Sequence, residues 1–118
     1  MLNDLERAVL RAIRLARPEV AVALDEQLDG VLVASRENTD VGFFTKLQPC
    51  RTTTLIEGAR SIGNVFAKIQ GMQNPMTFVL FIKSGLIDTL EGAAVDESTS
   101  DIDFSTVGFQ ILEPTKRH

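Results

Sequence analysis

The chain predicts an α+β fold: two N-terminal helices packed on one face of a mainly antiparallel sheet of about six strands. Three observations carry that prediction. Apolar residues recur at helical spacing through residues 1–29, the period drops to two from residue 31, and short turns rich in Gly, Asn and Ser join the strands into hairpins. A length of 118 residues suits one domain, divided into a helical part (1–29), a sheet part (31–112) and a tail (113–118).

Asn3 with Glu6 three residues later is a capping-box pair, and Leu5, Val9, Ala12, Ile13 and Ala16 then form one apolar stripe. Arg7, Arg11 and Arg14 share another face. Pro18 stops this helix and suits the first turn of a second, whose inner face is Val20, Ala23, Leu24, Gln27 and Leu28 and whose stop is Gly30. Residues 31–36 and 41–47 alternate as strands around the polar turn Asn38-Thr39-Asp40. Residues 48–60 read as a long loop with a short helical turn at Thr54–Ala59. Ile62–Gln70 is the next strand, and Pro75 lies in the turn after it.

The segment from Thr77 to Gly92 is the anchor of the sheet, two strands around a Ser84-Gly85 turn. Its first strand is apolar at nearly every position, which predicts cover on both faces. Its second alternates, with Leu86, Asp88, Leu90 and Gly92 on one side and Ile87, Thr89 and Glu91 on the other. An acidic loop, Asp96–Asp103, leads to a last strand, Ser105–Leu112, expected at a sheet edge where it pairs with another chain.

The chemistry-bearing residues exclude more than they suggest. One cysteine, Cys50, forms no internal disulfide and fits a reducing cytoplasm. The arginines at 7, 11, 14 and 17 interrupt any signal-peptide core, and the apolar run Phe78–Ile82 is too short to cross a bilayer. The one histidine is His118, a poor position for a general base, and Ile56 stands where a phosphatase-type loop begun at Cys50 needs its arginine. One Cys and one His do not make a zinc site. Four carboxylates at Asp96, Glu97, Asp101 and Asp103 are oxygen ligands, but their spacing matches no calcium loop, so no metal and no cofactor is expected. Gly58–Gly63 lacks the Lys-Ser/Thr of a phosphate loop.

Charge is uneven. The formal net charge is -4, yet residues 1–18 hold four arginines, while residues 86–113 hold seven acids and no Lys or Arg. That acidic half argues against nucleic acid as a partner, and a short helix without aromatics in an acidic protein argues against a membrane surface. Glu91, Asp96, Glu97, Asp101 and Asp103 are the candidate surface for a basic protein partner or for self-association. The alternative is a small-molecule pocket between sheet and helices, built from Phe43, Phe44, Cys50 and Arg51 and closed by the 48–60 loop. An enzyme ranks behind both.

Gly42-Phe43-Phe44-Thr45, Phe78-Val79-Leu80-Phe81-Ile82, Gly85 and Leu90-Glu91-Gly92 resemble a pattern in a family of small uncharacterised bacterial α+β proteins. In that family the Leu-Glu-Gly is often followed by an aromatic residue and then an Asp; here Ala93 and Ala94 replace the aromatic and Asp96 is present. The resemblance spans about residues 31–95. It implies helices followed by a curved antiparallel sheet and a bacterial cytosolic origin, and it supplies no activity and no catalytic residue.

Overall fold

A computed structural model describes residues 1–50 and 54–112. Helix α1 (Asp4–Ala16) is followed by a 3-10 turn (Pro18–Val20) and helix α2 (Ala21–Leu28). The strands are β1 (Leu32–Asn38), β2 (Gly42–Gln48), β3 (Ser61–Ile69), β4 (Met76–Lys83), β5 (Leu86–Ala93) and β6 (Phe109–Leu112). They form one sheet in the order β1-β2-β5-β4-β3-β6, with every neighbouring pair antiparallel. The α+β expectation holds, with β1 and β6 as the edges. The last strand is shorter than expected, because residues 104–106 form a turn and 107–108 are irregular before β6 begins.

α1 begins as its sequence dictates. Asn3 Oδ1 accepts from the Glu6 N–H at 2.8 Å, and Glu6 Oε1 accepts from the Asn3 N–H at 2.8 Å. Its buried stripe is Leu5, Glu6, Val9, Leu10 and Ile13, so Leu10 takes the place expected for Ala16, which is exposed. α1 lies against β3 and β6, and α2 against β5. Gln27 of α2 is fully buried and is the main polar tie between layers. Its amide donates to the carbonyls of Thr54 (2.8 Å) and Gly85 (2.9 Å), and its Oε1 accepts from the Ile87 N–H (2.8 Å). These bonds, with Ile56 N–H to Gly85 O at 2.9 Å, hold residues 54–59 in an irregular path. No helical turn forms at Thr54–Ala59, since these backbone groups bond to the β4–β5 turn and to α2 instead of to each other.

Two readings of the central hairpin are corrected. β4 is central in the sheet, yet only one of its faces is covered: Met76, Phe78, Leu80 and Ile82 are buried, Thr77 and Val79 half-buried, and Phe81 and Lys83 exposed. The molecule measures 40 × 40 × 20 Å. A thickness of 20 Å is one sheet layer and one helix layer, each about 10 Å, with no third layer. β5 does not alternate throughout either. Phe81 pairs with Thr89 and Ile82 with Ile87, leaving Asp88 as the extra residue of a bulge. The bulge shifts the phase, so Ile87, Leu90 and Gly92 face the helices while Thr89 and Glu91 face away. Asp88, expected on the core side with Leu86 and Leu90, is turned out to Lys46, 3.7 Å away.

The motif residues now explain one another. Gly42-Phe43-Phe44 of β2 pairs with Glu91-Gly92-Ala93 of β5, with Phe43 directly opposite Gly92. A Cβ on Gly92 would stand 2.6 Å from the Phe43 ring and 2.9 Å from the Phe78 ring, which lie 6.0 Å apart between centroids. Gly42 has φ +145° and sits under the Gly92 carbonyl, where a Cβ would approach to 2.0 Å. Both glycines are therefore requirements of close strand packing.

Candidate functional site

The outer face of the sheet, opposite the helices, carries the main unexplained surface. Following the register, its residues fall into rows across the strands. One row is Lys46, Thr89, Phe81 and Ser61; the next is Glu37, Phe44, Glu91, Val79 and Gly63. Phe66 lies in the following row opposite Thr77, and pairs on its other side with Leu112. Phe44, Phe66 and Phe81 are 36%, 43% and 39% exposed, large values for aromatic side chains in the middle of a sheet. Glu91 sits between Phe44 and Val79 and makes no ion pair or side-chain hydrogen bond among the described residues. Lys46 and Asp88 form the one ion pair found on this face among them.

A second feature lies on the helix side. A cleft of about 310 Å³ is lined by residues that include Asn3, Glu6, Arg36, Phe43, Ile102 and Phe104. Phe43 and Phe104 pack at 4.7 Å between ring centroids. Glu6 is buried, and its oxygens are saturated. Oε1 accepts from the Asn3 N–H and Arg36 Nη2 (both 2.8 Å); Oε2 accepts from Arg36 Nε (2.9 Å) and the Thr45 hydroxyl (2.6 Å). Burial pushes this carboxyl up, but Arg36, Thr45 and the Asn3 N–H together outweigh it and hold it below its ordinary value. A carboxylate has about four acceptor sites, and all are used here. Glu6 therefore anchors α1 to β1 and β2 and has no lone pair left for a proton transfer.

The acids singled out in the sequence are not one patch. Glu91 is on the outer face. Asp103 lines the cleft on the opposite side, where bonds from Ser105 hold its carboxyl below the ordinary value. Glu97 clasps the β3–β4 turn by accepting from the N–H groups of Gln73 (2.7 Å) and Asn74 (2.6 Å). Asp96 and Asp101 are exposed loop residues. Among the described residues, no group of three or more His, Cys, Asp or Glu is placed to hold a metal ion. The loop itself is pinned by the buried Thr99, whose hydroxyl donates to Asn38 Oδ1 and accepts from the Gly42 N–H, both at 2.9 Å.

The expected pocket set is also dispersed. Phe43 faces the helices and Phe44 the opposite side, as strand neighbours must. Cys50 is exposed, with its thiol 3.0 Å from the Gly30 carbonyl. Arg51 lies outside the described residues. The arginines of α1 have separate fates: Arg14 makes two bonds to Asp25 (2.7 and 2.9 Å), Arg7 lies 3.6 Å from Asp4, and Arg11 is exposed. No described helix is long and apolar enough to cross a membrane.

Phe66 and Phe81 were missed as surface residues, though the sequence carries a signal for Phe81. The odd-numbered set of β4 opens on Thr77 and closes on Lys83, both polar, whereas Met76, Phe78, Leu80 and Ile82 are wholly apolar. Comparison with known proteins found no matching family model, no matching curated protein and no matching solved structure.

Proposed function

We propose that this is a non-catalytic binding domain that acts through protein–protein contact in a reducing bacterial cytoplasm, and that its contact surface is the outer face of the sheet around Phe81, Val79 and Glu91. One observation carries the reading: a sheet covered by helices on one side presents three partly exposed phenylalanines on the other, and among them a carboxylate that pairs with none of the described residues. Apolar area of this kind favours burial, at roughly 25 cal/mol per Å² removed from water. Aromatic residues at the centre with charge around them match the anatomy of protein interfaces better than that of a catalytic cleft. The fitting partner is a protein surface, apolar opposite the phenylalanines, with a Lys or Arg opposite Glu91. The exposed Asp96 and Asp101 add a negative field that steers a basic surface inward.

The test compares two baits in lysate of the source cells: the native chain, and a variant with Phe66→Ser and Phe81→Ser. The expected result is a protein, the chain's own copy included, retained by the native bait and lost by the variant. Equal retention by both contradicts the reading.

The cleft favours a second reading, a small-molecule site on the helix side, because it combines two aromatic rings with polar groups in about 310 Å³. A thermal-shift screen checks it: a stabilising ligand whose effect disappears in Phe104→Ala supports the cleft, and no hit removes it.

A further inference from the structure

We infer that the occupant of the outer sheet face is a second copy of this chain, related by a two-fold axis that runs across the strands through Phe81, so that Glu91 of each copy pairs with Lys83 of the other. The inference rests on the contact reading above and names its partner.

The charge of the face is the first argument. Its outward-facing side chains include three acids, Glu37, Asp88 and Glu91, and three lysines, Lys46, Lys68 and Lys83. The face is therefore neutral in a chain whose net charge is -4, and it does not repel its own copy. Asp88 is already paired with Lys46, while Glu91 and Lys83 have no ion-pair partner among the described residues. The excess acid lies elsewhere, much of it in the 96–103 loop.

Register supplies the second argument. On β4 the outward positions are Val79, Phe81 and Lys83, with Glu91 beside Val79 and Thr89 beside Phe81. Successive rows are two residues apart, about 7 Å along a strand. An axis across the strands at the Phe81 row exchanges the rows on either side of it. The row of Val79 and Glu91 in one copy then lies over the row of Lys83 and Leu86 in the other. Glu91 and Lys83 end one strand apart laterally, about 4.8 Å, within reach of two long side chains. Phe81 meets its own copy at the axis, where offset or tilted rings are favoured. Strands related this way stay aligned to within the roughly 30° typical of sheets packed face to face.

Size is the third. A stable interface takes about 800 Å² from each partner. Six strands about 4.8 Å apart, the longest of nine residues, give a face of about 24 × 27 Å, so most of it is engaged.

The experiment is sedimentation equilibrium of the full chain from low to high micromolar concentration, at low and moderate salt. A monomer–dimer equilibrium is expected, and Phe81→Ser abolishes the dimer. Glu91→Lys and Lys83→Glu each set like charges opposite one another and weaken the dimer by at least about tenfold. The double variant Glu91→Lys/Lys83→Glu restores it to within about threefold of the native value, which loss of folding in the single variants does not allow. A dimer that survives Phe81→Ser, or a double variant as weak as the singles, overturns the inference. A native chain that stays monomeric overturns it too. If that monomer still retains another protein through Phe66 and Phe81, the contact reading stands with a different partner; if it does not, both fall.

Discussion

The two faces of the sheet use the same residue types to opposite ends. On the helix side, Phe43, Phe78, Leu80 and Leu90 are packed against one another and against α1 and α2, and the buried Glu6 carboxylate has every acceptor site filled. On the outer side, Phe44, Phe66 and Phe81 stand in open rows with charged neighbours, and Glu91 has no partner among the described residues. The difference teaches that hydrophobicity alone does not mark a core. A core also satisfies its polar groups internally, whereas the outer face leaves Glu91 to solvent. An apolar surface that leaves a charge to solvent is the surface the proposed contact would cover.

This contrast can be broken by substitution, and the largest effect falls on the covered side. Phe78→Ala leaves a cavity beneath α1 and α2 and costs about 3–5 kcal/mol, read from urea unfolding. Phe78 is fully buried and shares its contact with Phe43, so relaxation into the space is limited. A loss near zero at Phe78 would deny that the helix side is the core.

Arg36→Ala comes next, at roughly 1–3 kcal/mol, because it strips two bonds from a buried carboxylate. It also changes the acid limb of stability. The folded-state value of Glu6 lies below its unfolded value of about 4.3. A group depressed on folding contributes stability that is complete above the unfolded value and is lost as pH falls through the folded one. The native chain therefore loses this contribution below about pH 4.3, and Arg36→Ala flattens that limb. Parallel acid limbs in the two proteins would contradict the role given to the pair.

Gly92→Ala is expected to cost about 1–3 kcal/mol by overpacking against the Phe43 and Phe78 rings. The smallest effect is on the outer face. Phe81→Ser, measured at a concentration where the chain is monomeric, costs about 1 kcal/mol through lost strand propensity and the buried part of the ring, well below Phe78→Ala. A loss as large as that of Phe78→Ala would make Phe81 part of the core and remove the comparison.

Much of the fold was legible because it rests on local rules. Asn3 and Glu6 announced the start of α1, Pro18 and Gly30 the helix ends, and the Ser84-Gly85 turn the central hairpin. The candidate surface was not legible to the same degree. Phe78–Ile82 reads as a doubly covered strand because each residue is apolar, and only the count of layers decides which faces are covered. The Asp88 bulge reverses the facing of half a strand, and nothing in the alternation of residues 86–92 announces it. Gln27 was placed on an inner helix face, but its role needs three backbone groups that are remote in sequence. The acidic loop looked like one surface because its acids are adjacent in sequence, whereas Glu97 is spent on the β3–β4 turn and Asp103 on its own.

The chain offers a direct probe of the outer face, since it has seven phenylalanines and no Trp or Tyr. Uniform fluorophenylalanine labelling gives one fluorine resonance for each, followed as protein concentration is raised. The Phe81 resonance is expected to move most and that of Phe44 less, while Phe43 and Phe78 stay fixed in the core. Seven resonances unmoved across the whole range, or movement confined to Phe43 and Phe78, would contradict it.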